Sequence, residues 1–142
     1  MKIYFKKLSY SAIIPKKMHP LDAGMDIFAN EDVIIKTKSW GLVKTGIAME
    51  LPDGFEAQVR SRSGLAVKNG VFVLNSPGTI DAGFRGEIGV ILCNLGESDF
   101  KVVKGSRIAQ LVVSKLTEFE YNEKDTLSNS DRGEKGFGSS GI

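Results

Sequence analysis

Residues Val71 to Asn94 read VFVLNSPGTIDAGFRGEIGVILCN. Two short runs rich in Val, Ile and Leu, Val71–Leu74 and Glu87–Asn94, flank a block crowded with turn residues. Runs this short suit strands, whose pleated faces favour β-branched and aromatic side chains. In the block between them, Pro77 presets φ, Gly78, Gly83 and Gly86 permit tight turns, and Asn75 and Asp81 can bond their own backbone. The stretch predicts strand and strand, with a β-hairpin turned on glycine over Asn75–Gly86.

The same pattern extends outward. Lys2–Phe5, Met25–Phe28, Val33–Lys36, Gly41–Glu50, Glu56–Arg60, Lys101–Val103 and Ile108–Val113 read as further strands. Asn30-Glu31-Asp32, Pro52-Asp53-Gly54 and Leu95-Gly96-Glu97 supply turns between them. Segments of this length and spacing predict an all-β sandwich, barrel or jelly roll. One short helix is expected over Ser63–Gly70, with Ser63 capping its start and Gly70 in the left-handed position at its end. Trp40 is expected to pack at a strand start.

The 142 residues, 42% hydrophobic and 25% charged, suit one globular domain and exclude wholesale disorder. No apolar run approaches the roughly 20 residues that cross a bilayer, and no apolar segment follows Lys2, Lys6 and Lys7. Neither a membrane helix nor a secretory leader is therefore expected. A net charge of +2 does not argue for nucleic-acid binding. The single cysteine, Cys93, excludes an intrachain disulfide and fits a cytoplasmic setting, and its apolar surroundings predict a buried, inert thiol. With His19 it makes too small a set for structural zinc. After Tyr121 large apolar residues become scarce. Residues 1–121 are therefore read as the β domain and 122–142 as a flexible C-terminal arm, whose Arg132–Gly141 segment could fold over a ligand.

Several residues can carry chemistry. Arg62-Ser63-Gly64 at the helix start would aim a guanidinium, a hydroxyl and free backbone N–H groups at an anion, or would simply cap the helix. In the Asn75–Gly86 block, backbone groups and the Asn75 amide suit the flat edge of a nucleobase, Phe84 offers an apolar face, and Asp81 could take a proton from water. Turn completion by Asn75 and Asp81 is the competing reading. Asp22 and Asp26 could bind a metal or hold arginines, and a turn with a structural Asp–Arg pair is favoured. Walker A, His-Glu-x-x-His and Gly-x-Ser-x-Gly patterns are absent from the sequence.

Taken in order, Asp22–Ala29, Arg60–Ala66, Asn75–Val90, Gly105–Val112 and Arg132–Gly141 resemble the five ordered motifs of the trimeric deoxyuridine triphosphatase (dUTPase) family. The resemblance runs from about residue 3 to the C-terminus. It implies a jelly-roll-like distorted β-barrel with one short helix, in a homotrimer whose C-terminal arms are exchanged between subunits. It also implies hydrolysis of dUTP to dUMP and pyrophosphate, with Mg2+ held by the triphosphate and water and not directly by the protein. Asp81 then resembles the aspartate that activates the attacking water. Asn75, with Gly78, Thr79 and Ile80 after it, would read uracil, and Phe84 would pack on the deoxyribose. Arg62, Ser63, Gly64 and Gln110 would contact phosphates, and Asp26 would support the site. Arg132, Phe137 and Gly138 would close it from the arm. Two departures stand out: Phe84 replaces the usual tyrosine, and Lys135 replaces the commoner glycine. The related dCTP deaminases carry a catalytic glutamate ten residues after the shared aspartate, where this chain has Ile91. A nucleotide-binding regulator without catalysis is argued against by the retention of Asp81, Arg62, Ser63, Gln110 and Arg132.

Overall fold

Alternation of side chains across short strands organises the chain, and the computed structural model describes residues 1–136. Phe137 and Gly138 lie outside the described residues. Eleven strands and one helix follow in order: β1 (Tyr4–Lys7), β2 (Met25–Phe28), β3 (Val33–Ile35), β4 (Ser39–Lys44), β5 (Ile47–Glu50), β6 (Phe55–Arg60), α1 (Ser63–Asn69), β7 (Val71–Val73), β8 (Gly78–Asp81), β9 (Gly89–Asn94), β10 (Phe100–Val102) and β11 (Arg107–Lys115). All strand pairs are antiparallel. They form a four-stranded sheet β2-β11-β6-β8, a three-stranded sheet β4-β9-β7 and two ribbons, β1-β5 and β10-β3. The fold is all-β with one short helix, as expected, and its described strands pair into separate sheets without closing a barrel.

Inward positions of both larger sheets meet in one core. Ala57, Val59, Ile80 and Leu111 come from the four-stranded sheet, and Val43, Val71, Val90 and Leu92 from the three-stranded one. Polar outward neighbours keep this register unique, because a one-residue slip would turn the buried set to solvent. Cys93 is buried and unpaired, as its apolar run implied.

Four local expectations are corrected. The run Gly41–Glu50 is two strands, β4 and β5, broken at Gly46, which adopts φ +67°. The Asn75–Gly86 hairpin does not form: β8 pairs with β6, while β9 pairs with β4 and β7, so the block crosses from one sheet to the other. Ser63 is the first helical residue and not the cap. Arg62 occupies that position in extended backbone (φ −92°, ψ 125°), with no side-chain capping bond. Trp40 is 64% exposed rather than packed, because it shares the outward face of β4 with Leu42. The far end of the helix matches expectation: Gly70 (φ 64°) donates its N–H to the carbonyls of Ala66 and Leu65. Among the described residues, no helix is long and apolar enough to cross a membrane.

Candidate active site

Strand β6 carries both halves of the site. At its Glu56 end it pairs with Asp81 of β8, and at its Arg60 end with Gln110 of β11, which in turn pairs with Asp26 of β2. Glu56 and Arg60 are four residues apart, so the two ends are separated by about 13 Å at ~3.3 Å per strand residue.

The Asp81 end opens into a pocket of about 190 Å³ lined by Val59, Asn75, Gly78–Asp81, Phe84 and the segment Glu87–Gly89. Gly78 lies close against Asn75: a Cβ would stand 3.2 Å from the Asn75 amide nitrogen, so that side chain would have to give by a few tenths of an ångström. Gly86 serves Phe84 likewise, since a Cβ would stand 2.7 Å from the ring. The ring therefore lies against bare backbone while remaining 44% exposed. A turn bond from the Phe84 N–H to the Asp81 carbonyl (3.0 Å) follows β8. Arg85 folds back over that turn and donates to the Ala82 and Phe84 carbonyls. The Asp81 side chain makes no ion pair among the described residues.

The Arg60 end is built around Asp26. Its carboxylate takes Arg62 Nε at 3.1 Å on one oxygen and Arg107 Nη1 at 3.2 Å on the other. Arg62 also donates to the Arg107 carbonyl at 3.0 Å. Two guanidiniums on one carboxylate leave a formal charge of +1 and several N–H donors free. Gln110 donates its amide to the Ser61 carbonyl at 2.9 Å. That reach requires Gly24, where a Cβ would fall 2.6 Å from Gln110 Oε1. Ser63 and Gly64 are exposed beside this cluster, and a Cβ on Gly64 would meet nothing within 4 Å. Packing therefore does not demand glycine there.

Sequence comparison decides what these two ends belong to. The dUTPase family model matches residues 10–141. This chain belongs to the dUTPase family. It is 54% identical over 136 residues to the deoxyuridine 5'-triphosphate nucleotidohydrolase of Clostridium tetani, covering 96% of this chain and 94% of that protein. The corresponding protein of Helicobacter hepaticus is also 54% identical, over 100% of this chain and 90% of its own length. Among solved structures, the dUTPase of Staphylococcus bacteriophage 80alpha with dUPNHPP superposes with a TM-score of 0.91 at 31% identity, covering 99% of each chain.

In this dUTPase chain, six of the residues singled out from sequence line one pocket: Asn75, Gly78, Thr79, Ile80, Asp81 and Phe84. Arg62, Gln110 and Asp26 meet at the other end of β6. Arg132 joins neither group. Its Nε donates to the Lys135 carbonyl at 2.9 Å within its own exposed turn. Asp22 accepts the His19 N–H at 2.8 Å and so completes a turn, while Asp26 is the arginine-holding carboxylate. Three contributors escaped the sequence reading. Arg107 lies 81 residues from the carboxylate it pairs with. Ser61 accepts Gln110 through its carbonyl and the Val73 N–H, at 2.9 Å, through its hydroxyl. Glu87 lines the pocket. Only Arg107 left a signal, as the arginine within the fourth motif, Gly105–Val112.

Proposed function

We propose that the chain hydrolyses dUTP to dUMP and pyrophosphate, with Asp81 priming a water for attack on the α-phosphorus. The observation that carries this reading is the pocket gathering Asn75, Gly78–Ile80, Asp81 and Phe84 in a chain of the dUTPase family. Its volume of about 190 Å³ suits a nucleobase rather than a whole nucleotide, since whole-ligand clefts run to roughly 300–1,000 Å³. In this reading the Asn75 amide and the backbone of Gly78, Thr79 and Ile80 match the donors and acceptors of uracil. Cytosine would set donor against donor and leave buried groups unpaired. The Phe84 ring packs on the deoxyribose and excludes a 2′-hydroxyl by bulk.

The step balances simply. Water oxygen bonds to the α-phosphorus, its proton passes to the Asp81 carboxylate, and the bond to the bridging oxygen breaks with its electron pair leaving on pyrophosphate. Arg62, Ser63, Gly64 and Gln110 bind the phosphates, and Asp26 fixes the Arg62 fork. Arg132, Phe137 and Gly138 close the site from the arm. Fixed donors aimed at a polyanion lower the barrier because they need no reorganisation during the reaction.

Magnesium enters this reading with the triphosphate, as part of the substrate. Among the described residues no group of three or more His, Cys, Asp or Glu side chains could hold a metal, and Asp26 is committed to two guanidiniums. In this reading the chain provides phosphate ligands and the triphosphate carries the ion, to which no step is assigned.

The same reading takes residues 1–121 as the β domain and 122–142 as the arm, in a homotrimer with exchanged arms. Three observations support it. Asp81 and the arginine cluster stand towards opposite ends of β6, about 13 Å apart at ~3.3 Å per strand residue, and a homotrimer would let ends from different subunits meet on one triphosphate. Residues 116–136 are exposed throughout, and beyond the bond from the Leu116 N–H to the Gly54 carbonyl (2.8 Å) no described residue of this segment makes a backbone hydrogen bond to the β domain. Trp40 and Leu42, 64% and 57% exposed, leave the outward face of β4 apolar, as an interface between copies requires. A cytoplasmic location agrees with the buried free thiol. There the reaction would keep uracil out of DNA and supply dUMP for thymidylate synthesis.

A pyrophosphate-release assay across dUTP, dCTP, dTTP and UTP, with and without Mg2+, tests the reading. Rapid release from dUTP with Mg2+ and strong preference over the other three is expected. Equal rates on all four would overturn it.

A further inference from the structure

The two walls of the pocket belong to different sheets. Gly78–Asp81 is β8, bonded to β6, whereas Glu87–Gly89 leads into β9, bonded to β4 and β7. No strand ladder joins β8 to β9. The width of the pocket must therefore be fixed by what holds each wall from behind.

Behind the Glu87 wall stands the joint between β4 and β5. Glu87 Oε1 accepts the Gly46 N–H at 2.8 Å. The buried Thr45 donates its hydroxyl to the Ile88 carbonyl at 2.5 Å, and the Ile88 N–H donates to the Ile47 carbonyl at 2.8 Å. Three consecutive residues of the joint thus grip two consecutive residues of the wall. The joint is itself anchored. The Gly46 carbonyl accepts the Leu8 N–H at 2.8 Å. Gly46 is closely packed, since an added Cβ would stand 2.7 Å from the Asn30 amide nitrogen and 2.9 Å from the Ala12 methyl. Asn30 is in turn bonded to Ser9 and Ser11.

We propose that Glu87 is a positioning residue for base selection: by clamping the Gly46 N–H it sets the distance between the two pocket walls. The inference rests on the reading of this pocket as the uracil site. A carboxylate is suited to the task because a charged acceptor binds a backbone N–H more strongly than a neutral one. Losing it frees the Arg85–Ile88 segment, so the pocket tolerates a wider range of ring positions. The donor–acceptor match that separates uracil from cytosine is then weakened.

The test compares Glu87→Ala with Glu87→Gln, which keeps an acceptor oxygen. In Glu87→Ala, KM for dUTP is expected to rise roughly fivefold with kcat within about twofold, and the dUTP-over-dCTP preference in kcat/KM to fall by a similar factor. Amide hydrogen exchange at Gly46 should quicken, and Glu87→Gln should restore all of these values towards wild type. If Glu87→Ala lowers Tm but leaves KM and base preference unchanged, the residue is merely structural and the proposal fails. Unchanged exchange at Gly46 overturns the clamp itself. Wild-type protein without activity on dUTP would instead reject the functional reading, and the exchange measurement would still judge the clamp. Should Glu87→Ala fail to fold, Thr45→Val removes the neighbouring grip on Ile88 and is expected to shift KM and base preference in the same direction; wild-type values would overturn the proposal.

Discussion

At one end of β6, Asp81 stands beside an open pocket with no ion pair among the described residues; at the other, Arg62, Arg107 and Asp26 are already bound to one another. The first end has groups without partners and gains them only when a ligand arrives. The second holds its fork in place before any phosphate is bound, at the cost of placing a negative charge where a polyanion must dock. The contrast separates two ways of preparing a site. In the proposed reaction the Asp81 end would supply chemistry and little stability, while the arginine end would supply both geometry and stability.

The sharpest way to break that contrast is Asp81→Asn. The amide keeps the side chain's shape but is a poor proton acceptor, so kcat should fall by about 10²–10⁴. Binding of dUpNHpp and Tm should stay near wild type, because no described ion pair is lost. A fall in Tm comparable to that of a core variant would show that Asp81 also holds the fold. Removing residues 131–142 is the next largest expected effect. Activity should drop by around 10²-fold, the scale of a misplaced substrate. The oligomer mass by light scattering and the Tm of the body should be retained, since the described residues of the deleted segment, 131–136, are all exposed.

Asp26→Ala probes the opposite end and should invert the pattern. It leaves Arg62 and Arg107 facing each other without their shared carboxylate. Asp26 side-chain exposure is only 12%, but Arg62 and Arg107 reach 26% and 43%, so solvent screens part of the repulsion. A stability loss of about 2 kcal/mol by denaturant titration is expected, with kcat/KM down about tenfold. Asp26→Asn should lie between Asp26→Ala and wild type on both measures. An Asp26→Ala protein as stable as wild type would reduce the arginine end to a surface contact.

What the amino-acid order revealed follows the range of the interactions. Met25–Phe28 and Val71–Val73 are legible as strands because their apolar character is local. The helix end at Gly70 is legible because a left-handed residue is a local demand. Strand β8 was hidden inside an expected hairpin. Its four residues include two outward polar side chains, and its partner β6 lies about twenty residues upstream, so nothing nearby marks it as a strand. The break at Gly46 was overlooked because Lys44, Thr45 and Gly46 interrupt the run only briefly; there the chain takes the left-handed φ of +67°, beside Asn30 and Ala12, which stand too close for an added Cβ. Asp26 could be read as an arginine holder, but which arginines it holds depends on a register between β2 and β11 that no local pattern specifies.

The smallest expected effect tests whether the two ends are mechanically joined within one chain. Ser61 reaches both sides through its own polar groups: its carbonyl takes the Gln110 amide of the arginine end, and its hydroxyl takes the Val73 N–H and donates to the Ser76 hydroxyl at 3.5 Å in the Asn75 turn. Ser61→Ala keeps the carbonyl bond and removes both hydroxyl bonds, of which the one to Ser76 is long and weak. Stability should fall by about 1 kcal/mol, the usual net worth of such a bond, and KM for dUTP should rise about two- to threefold with kcat nearly unchanged. Ser61→Thr preserves the hydroxyl and should behave as wild type. If Ser61→Ala lowers stability without moving KM, the two ends act independently, and the Asn75 turn takes its position from β7 and β8 alone.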